Sequence, residues 1–275
     1  MLQQEFVNFI QSKKNLSPEI KTGFSDIDDT LSDLKRANLT LIAGRAGMGK
    51  TNFAISILKN VVFEQKLRVV FFSFEMSSMQ IFQRLMRIET GIDATTLRTG
   101  QVEESDLPKI NDLLQRPENA NVLIDDSSGI SIIELCERCR NYVLMHQTDL
   151  IIIDYLQLIP LRHREISEIG QENYHLIMYM LKTVARELNI SIVLLSSLSS
   201  EIDQRENKRP LLSDLSQDIV QYADNVCFIY RADYYGLLND NGNEAEFILA
   251  KSRFRGTEII AMGWDKIKGV LQDVG

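Results

Sequence analysis

The chain has 275 residues, of which 44% are hydrophobic and 25% charged, a balance typical of a globular protein large enough for one α/β domain. Its 30 Lys and Arg face 38 Asp and Glu, for a formal net charge of -8, which argues against a protein that coats nucleic acid with its whole surface. A secretory signal is not recognisable, no apolar run reaches the roughly 18–20 residues that span a bilayer, and three cysteines are too few for a disulfide framework, so we expect a cytoplasmic protein without a membrane partner.

Residues 1–16 are predicted to form an N-terminal amphipathic arm or linker helix. Their apolar side chains follow the i, i+4, i+7, i+8 spacing of one helical stripe: Leu2, Phe6, Phe9 and Ile10. Ser17-Pro18 ends the helical pattern. The helix either packs on its own domain or docks on a neighbouring subunit, and the spacing is compatible with both.

Residues 17–275 show strand patterns that alternate with helical patterns, which predicts a single α/β domain. The predicted strands are Leu39–Ala43, Val69–Phe74, Asn121–Ile124, Leu150–Ile153, Ile190–Ser196, Val226–Tyr230, Glu246–Ala250 and Glu258–Met262. The predicted helices are Thr51–Gln65, Ser78–Thr90, Glu104–Leu114, Ile132–His146 and Glu172–Leu188. Because strand–helix alternation builds βαβ units, we expect a mostly parallel twisted sheet with helices on both faces. The last strands follow one another without long helices, which predicts an antiparallel extension at one edge.

The residues directly after the first predicted strand carry the strongest chemical signal in the chain. They match G-x-x-x-x-G-K-[ST] at the start of a predicted helix: Gly44, Arg45, Ala46, Gly47, Met48, Gly49, Lys50 and Thr51. Glycines let backbone N–H groups converge on phosphate oxygens, and the helix N-terminus adds positive potential. The motif therefore predicts an ATP site in which Lys50 reaches the β- and γ-phosphates and Thr51 is a ligand of Mg²⁺.

Two acidic residues follow strands that are predicted to be buried. Asp154 ends the run Leu150–Ile153, a Walker-B pattern, and at the carboxyl edge of a parallel sheet it can hold the hydration shell of Mg²⁺. Glu75 ends the run Val69–Phe74 and can polarise the water that attacks the γ-phosphate. The alternatives are an Asp154 that caps the next turn and a solvated Glu75 at a helix start.

Two groups of basic residues are candidates for contacts with phosphate. Lys251 and Arg253 follow a predicted strand, and could neutralise charge at a neighbouring subunit's γ-phosphate or lie at a solvated hairpin tip. Arg205, Lys208 and Arg209 lie in a predicted loop that could contact the phosphates of a passing nucleic-acid strand. A solvated loop fits these three residues equally well.

Taken in order, these motifs resemble the C-terminal ATPase domain of bacterial and phage replicative helicases of the DnaB type. The resemblance covers about residues 17–265. Its most specific string is Asp154-Tyr155-Leu156-Gln157-Leu158, which disfavours a more distant recombination or clock-type ATPase. Further matching pieces are Thr22–Asp28, Phe72–Ser77, Leu97–Gly100, Lys208–Pro210, Ser213–Leu215, Ala223-Asp224 and Lys251–Arg253.

The resemblance implies a RecA-like P-loop NTPase that binds ATP and Mg²⁺ and assembles as a homo-oligomer, a hexameric ring around single-stranded DNA. It implies that Glu75 is the catalytic carboxylate, that Asp154 lies at Mg²⁺, and that Lys251 and Arg253 act on the adjacent subunit. Residues 1–16 fall where the family has a linker helix that docks on the next subunit. The first hypothesis is therefore an ATP-dependent DNA helicase or translocase.

Departures from the family pattern support a second hypothesis. Where the family has Ser-Gln-Leu-Asn/Ser-Arg, this chain has Ser197 and Ser200 in place of the Gln and the Arg. An Arg-Glu-Ser-Gly loop is shortened to Ser216-Gln217-Asp218, and Tyr179 replaces an Arg. Since these changes affect the nucleic-acid side and leave the ATP side intact, the chain could instead be a helicase-derived ATPase with weakened DNA binding. Such a protein would regulate or accompany a replicative helicase, as an accessory or decoy subunit.

Overall fold

The computed structural model describes residues 19–31, 34–161, 174–237 and 245–274. The strands within these ranges are β1 (Leu39–Gly44), β2 (Val69–Ser73), β3 (Val122–Asp125), β4 (Leu150–Asp154), β5 (Ser191–Ser197), β6 (Asn225–Arg231), β7 (Ala245–Ser252), β8 (Glu258–Asp265) and β9 (Val270–Asp273). They form one sheet in the order β3-β2-β4-β5-β1-β6-β7-β8-β9. The predicted arm at residues 1–16 lies outside the described residues.

The sheet has a parallel part and an antiparallel part. Pairs β3–β2, β2–β4, β4–β5, β5–β1 and β1–β6 are parallel, whereas β6–β7, β7–β8 and β8–β9 are antiparallel. Every residue of β1, β2 and β4 is buried, since these mostly apolar strands are covered on both faces. The expected parallel sheet with an antiparallel extension is therefore confirmed, and the extension contains one strand, β9, that was not predicted.

The helices are α1 (Ser25–Leu31), α2 (Lys50–Lys59), α3 (Ser78–Thr90), α4 (Ala94–Thr99), α5 (Leu107–Gln115), α6 (Ile132–His146), α7 (Tyr174–Glu187) and α8 (Gln217–Tyr222). The helical segment predicted over Thr51–Gln65 is present, with an α-helical part at Lys50–Lys59 and a π-helical part at Asn60–Glu64. The predicted helix start at Glu104 is wrong, since α5 begins at Leu107 with Pro108 in its first turn, where proline is favoured.

The helices cover both faces of the sheet, as predicted. Successive residues of a strand point to opposite faces, so Ile152 packs in the core beneath α2 and α3 while Ile151 and Ile153 pack beneath α6 and α7. The strands β1, β2 and β4 all run in the same direction. The carboxyl ends of β1, β2 and β4 lie at one edge of the sheet, and the residues that follow them are brought together there.

Candidate active site

The loop between β1 and α2 has backbone geometry that requires glycine at two positions. Gly47 has φ 80° and Gly49 has φ 93°, in the left-handed region that disfavours side chains. A Cβ atom on Gly49 would also lie 2.7 Å from the ring of Trp264. The loop therefore curls tightly into the start of α2, as the phosphate-binding motif predicts.

Two oxygen donors meet at the carboxyl edge of the sheet. The Thr51 hydroxyl, in the first turn of α2, donates a hydrogen bond of 2.8 Å to Oδ2 of Asp154 at the end of β4. Burial raises the pKa of Asp154, and the bond from Thr51 opposes that rise. A hydroxyl and a carboxylate are the oxygen ligands that Mg²⁺ prefers beside phosphate, so the pair fits the predicted metal.

The Lys50 ammonium lies inside the loop rather than in solvent. It donates to the carbonyl oxygens of Gly44 at 2.8 Å and Arg45 at 3.0 Å. Burial lowers the pKa of Lys50 to about 8, because a desolvated ammonium is less stable than a hydrated one. The charges of Asp154 and Glu75 oppose this fall, and a phosphate group placed in the loop would add further negative charge.

Glu75 follows β2 and lines the same cleft as Lys50, Thr51 and Asp154, which has a volume of about 340 Å³. Two contacts place it there: the Phe74 N–H donates to the Asp154 carbonyl at 2.9 Å, and the Ser73 hydroxyl closes the next turn by donating to the Met76 carbonyl at 2.7 Å. Glu75 is exposed, so its carboxylate is open to water.

Sequence reasoning missed three residues that line this cleft: Asn52, Arg84 and Trp264. Arg84 extends from α3 and donates to Oδ1 of Asn52 at 2.9 Å. Burial lowers its pKa, while the charges of Asp154 and Glu75 act in the opposite direction. An arginine within an amphipathic helix carries no local signal of this position, because only the packing of α3 against α2 brings it to the cleft.

Ser197, at the end of β5, also lines the cleft. Its N–H donates to Oε1 of Gln157 at 3.0 Å, and Nε2 of Gln157 donates to the Ser196 hydroxyl at 2.9 Å and to the Ser197 carbonyl at 3.1 Å. Gln157 therefore joins the segment after β4 to the end of β5, next to the position where the family pattern has a glutamine instead of Ser197.

Lys251 and Arg253 lie at the opposite edge of the sheet from the cleft. The Lys251 ammonium donates to the carbonyls of Val220 and Ala223, which belong to α8 and to the residue directly after it. Burial lowers its pKa. The Arg253 side chain is 48% exposed, and its Nε is 3.2 Å from Oδ1 of the buried Asp224.

Strand register sets the distance between Arg253 and the phosphate loop. Ser252 pairs with Asn225, and Asn225 pairs with Thr40 near the start of β1. Gly44, where the loop begins, is four residues further along β1, which corresponds to about 13 Å. Arg253 and the cleft of the same chain therefore lie at opposite ends of the strands.

Arg205, Lys208 and Arg209 each have partners within the chain. Arg205 pairs with Asp214 at 2.9 Å and Arg209 pairs with Glu246 at 2.6 Å. The Lys208 ammonium donates to the carbonyls of Asp203 and Arg205, both at 2.9 Å. These contacts within the chain stabilise the loop without nucleic acid. Contact of the three residues with nucleic acid stays a prediction.

The shortened segment Ser216-Gln217-Asp218 forms the start of α8, with Ser216 directly before the helix. Tyr179 on α7 is 53% exposed. Its ring centroid lies 6.0 Å from that of Tyr222 on α8, so an aromatic pair occupies the place where the family has an arginine.

These features accompany a match to a known family. The model of the DnaB-like helicase C-terminal domain matches residues 19–270. The chain belongs to this family. The resemblance predicted from the motifs is confirmed, and a DnaB-like ATPase domain with this loop binds nucleotide.

The chain is also similar in sequence to curated replicative helicases. The chain is 37% identical over 253 residues to "Replicative DNA helicase DnaC" of Bacillus subtilis (strain 168), covering 89% of this chain and 54% of that protein. It is 38% identical over 243 residues to "Replicative DNA helicase DnaB" of Geobacillus stearothermophilus, covering 85% and 52%. The chain thus spans about half the length of these relatives.

Solved structures confirm the RecA-like fold of the DnaB-like family. One structure, described as an ATPase domain, superposes with a TM-score of 0.87 at 28% identity, over 100% of this chain and 99% of that one. "The Structure Of A DnaB-Like Replicative Helicase And Its Interactions With Primase" gives 0.84 at 29% identity, over 99% of this chain and 66% of that one. Among the described residues, no helix is both long and apolar enough to cross a bilayer.

Proposed function

We propose that this chain is the motor domain of a DnaB-type helicase, which hydrolyses Mg²⁺–ATP at subunit interfaces of a hexameric ring to move on single-stranded DNA. One observation carries the proposal. The nucleotide-binding residues surround a cleft at the carboxyl ends of the parallel strands. Arg253 follows Ser252, which is level with Thr40, about 13 Å back along β1 from Gly44. Such a chain has a complete site only when a second copy supplies its arginine.

The residues of the cleft have distinct roles in this proposal. Bound Mg²⁺ would neutralise and orient the β- and γ-phosphates. Thr51 and Asp154 would hold the ion, and Lys50 would turn its ammonium from the loop carbonyls to the phosphate oxygens. Glu75 would orient the attacking water and accept its proton, because it combines an exposed carboxylate with a place in the cleft.

Arg253 and Lys251 would act on the neighbouring subunit. The Arg253 guanidinium is exposed, and its contact with Asp224 at 3.2 Å holds it without burying it, so it can reach outward to a γ-phosphate. Lys251 would position the turn through its bonds to the end of α8, and it would approach the phosphate only after those bonds break.

A second candidate function is an accessory, regulatory or decoy subunit that pairs with another helicase or replication protein. Specific observations favour it: Arg205, Lys208 and Arg209 are paired within the chain, and Asp218 introduces an acid at the start of α8. In this case ATP hydrolysis would regulate the activity of a partner protein, and this chain would bind DNA weakly.

Steady-state ATP hydrolysis with and without single-stranded DNA separates the two functions. The assay uses low salt, since phosphate contacts weaken steeply with salt, and protein whose oligomeric state is known from light scattering. Stimulation by DNA in an oligomer supports the motor, and hydrolysis indifferent to DNA favours the accessory subunit.

The Lys50→Ala variant provides the inactive control, and Lys59→Ala on the same helix is its matched variant. Full hydrolysis by Lys50→Ala would contradict the ATP site itself.

A further inference from the structure

Arg45 belongs to the phosphate loop, but its side chain binds a different segment. Its Nη2 lies 2.7 Å from Oδ2 of Asp203, its Nε lies 3.2 Å from both Asp203 oxygens, and its Nη1 donates to the Leu198 carbonyl at 3.0 Å. A planar guanidinium that binds one carboxylate through two nitrogens has a fixed orientation. Arg45 therefore fixes the position of Asp203 relative to the loop.

Three segments that follow neighbouring strands meet at Asp203. Arg45 follows β1, Asp203 follows β5, and Tyr235 follows β6. The Tyr235 hydroxyl donates a hydrogen bond of 2.7 Å to Oδ1 of Asp203. Two hydrogen bonds hold the pKa of Asp203 below its usual value: the one from Arg45 has the larger effect, and the one from Tyr235 the smaller. The carboxylate is thus charged at neutral pH.

Residues 198–214 contain further contacts that link Asp203 to the basic residues of this segment. Lys208 donates to the Asp203 carbonyl, and Arg205 pairs with Asp214 and donates to the Arg209 carbonyl at 3.0 Å. All three basic residues predicted to contact nucleic acid lie in this stretch. Because Lys208 binds the Asp203 carbonyl directly, a displacement of Asp203 would disturb Lys208 and the turn around it, whereas Arg209 is also held by Glu246 on β7.

Arg45 also contacts the lysine that is predicted to bind phosphate. Lys50 donates to the backbone carbonyl of Arg45 at 3.0 Å, and phosphate oxygens would compete for the same ammonium protons. When Lys50 turns to a phosphate, the Arg45 carbonyl loses this donor, and the backbone that bears the guanidinium is released. The path from phosphate to segment 198–214 then runs through Lys50, Arg45 and Asp203.

We propose that Asp203 is a positioning residue that couples nucleotide binding in the phosphate loop to the conformation of residues 198–214. The inference rests on the proposed ATP site, but it does not depend on DNA translocation. It gives this chain a physical connection between the nucleotide and the segment that bears Arg205, Lys208 and Arg209, in either of the two candidate functions.

Hydrogen exchange of the full chain, with and without adenylyl-imidodiphosphate and Mg²⁺, tests the coupling. In the wild-type chain, we expect nucleotide to change exchange in residues 198–214 by about fivefold, the size expected when a partly exposed ion pair changes partners. Asp203→Asn should abolish this nucleotide-dependent change while nucleotide still binds, as measured by a parallel titration. Asp203→Glu retains the charge and should restore the change at least in part.

Asp214→Asn is the matched control, because it breaks the pair with Arg205 inside the segment and leaves the Arg45 contact in place. We expect it to raise exchange equally with and without nucleotide, so the difference between the two states remains. Retention of the wild-type difference in Asp203→Asn, or no difference in a wild-type chain that binds nucleotide, would overturn the coupling alone. A chain that binds no nucleotide would overturn the ATP site as well.

Discussion

Single residues of the active site derive their chemistry from their surroundings. Lys50 is predictable from the motif, but its lowered pKa is not, because that pKa depends on burial by parts of the chain distant in sequence. The same holds for Asp154, whose pKa burial raises. At this scale the sequence identifies the functional groups, and the fold determines how readily each is charged.

The Lys50 pKa of about 8 gives a testable pH dependence. The amine is charged below that pH and neutral above it, and only the charged form pairs with phosphate. Nucleotide affinity should therefore fall as pH rises through about 8, approaching a tenfold loss for each further pH unit. Fluorescence titrations from about pH 7.5 to about pH 9.5 measure it. Lys50→Arg stays charged over this range, so an equally steep fall in that variant would rule out Lys50 as the cause.

At the scale of elements, the loop between β1 and α2 is held between tertiary neighbours. The left-handed φ of Gly49 is predictable from the motif, whereas its contact with Trp264 on β8 is not, since more than 200 residues separate the two. Short elements such as α4, α8 and β9 were also missed, because about four to six residues are too few to show a period.

Gly49→Ala tests whether this contact adds to the backbone strain. The new Cβ would meet both an unfavourable φ and the Trp264 ring at 2.7 Å, so we expect the free energy of unfolding to fall by about 2–4 kcal/mol. Urea denaturation measures it. Gly129→Ala is the control, with φ 72° and nothing within 4 Å of its Cβ, and should cost only about 1–2 kcal/mol. Equal losses in the two variants would show that Trp264 simply moves aside.

For the whole molecule, the proposed function divides the site between the two ends of the parallel strands. Parallel strands bring Gly44, Glu75 and Asp154 to one end of the strands, and β7, which is antiparallel to β6, runs to the other end, where Arg253 lies. This polarity makes hydrolysis a property of the assembly in the proposed function, because a head-to-tail ring joins one edge to the next copy's opposite edge.

A mixing experiment tests that arrangement. Arg253→Ala should lose ATP turnover yet bind nucleotide, and Lys50→Ala should lose turnover through its own loop. Mixed in equal amounts, the two inactive variants should recover about one quarter of wild-type turnover, since random assembly pairs an intact loop with an intact arginine at that fraction of interfaces. Arg255→Ala serves as the control for a basic residue on the same turn. No recovery from subunits that exchange would contradict action across the interface.

The sequence by itself determined the family, the fold class and the nucleotide motif, because these depend on local chemistry: hydrophobic runs of strand length, glycines before a helix, and an acid after a buried strand. Only the tertiary structure decided that Arg84 and Trp264 line the cleft, that Arg45 binds Asp203, and that the loop cations have partners within the chain. The positions of Arg84 and Trp264 and the contact of Arg45 with Asp203 join residues far apart in sequence, and such neighbours are fixed only when the strands have taken their order in the sheet.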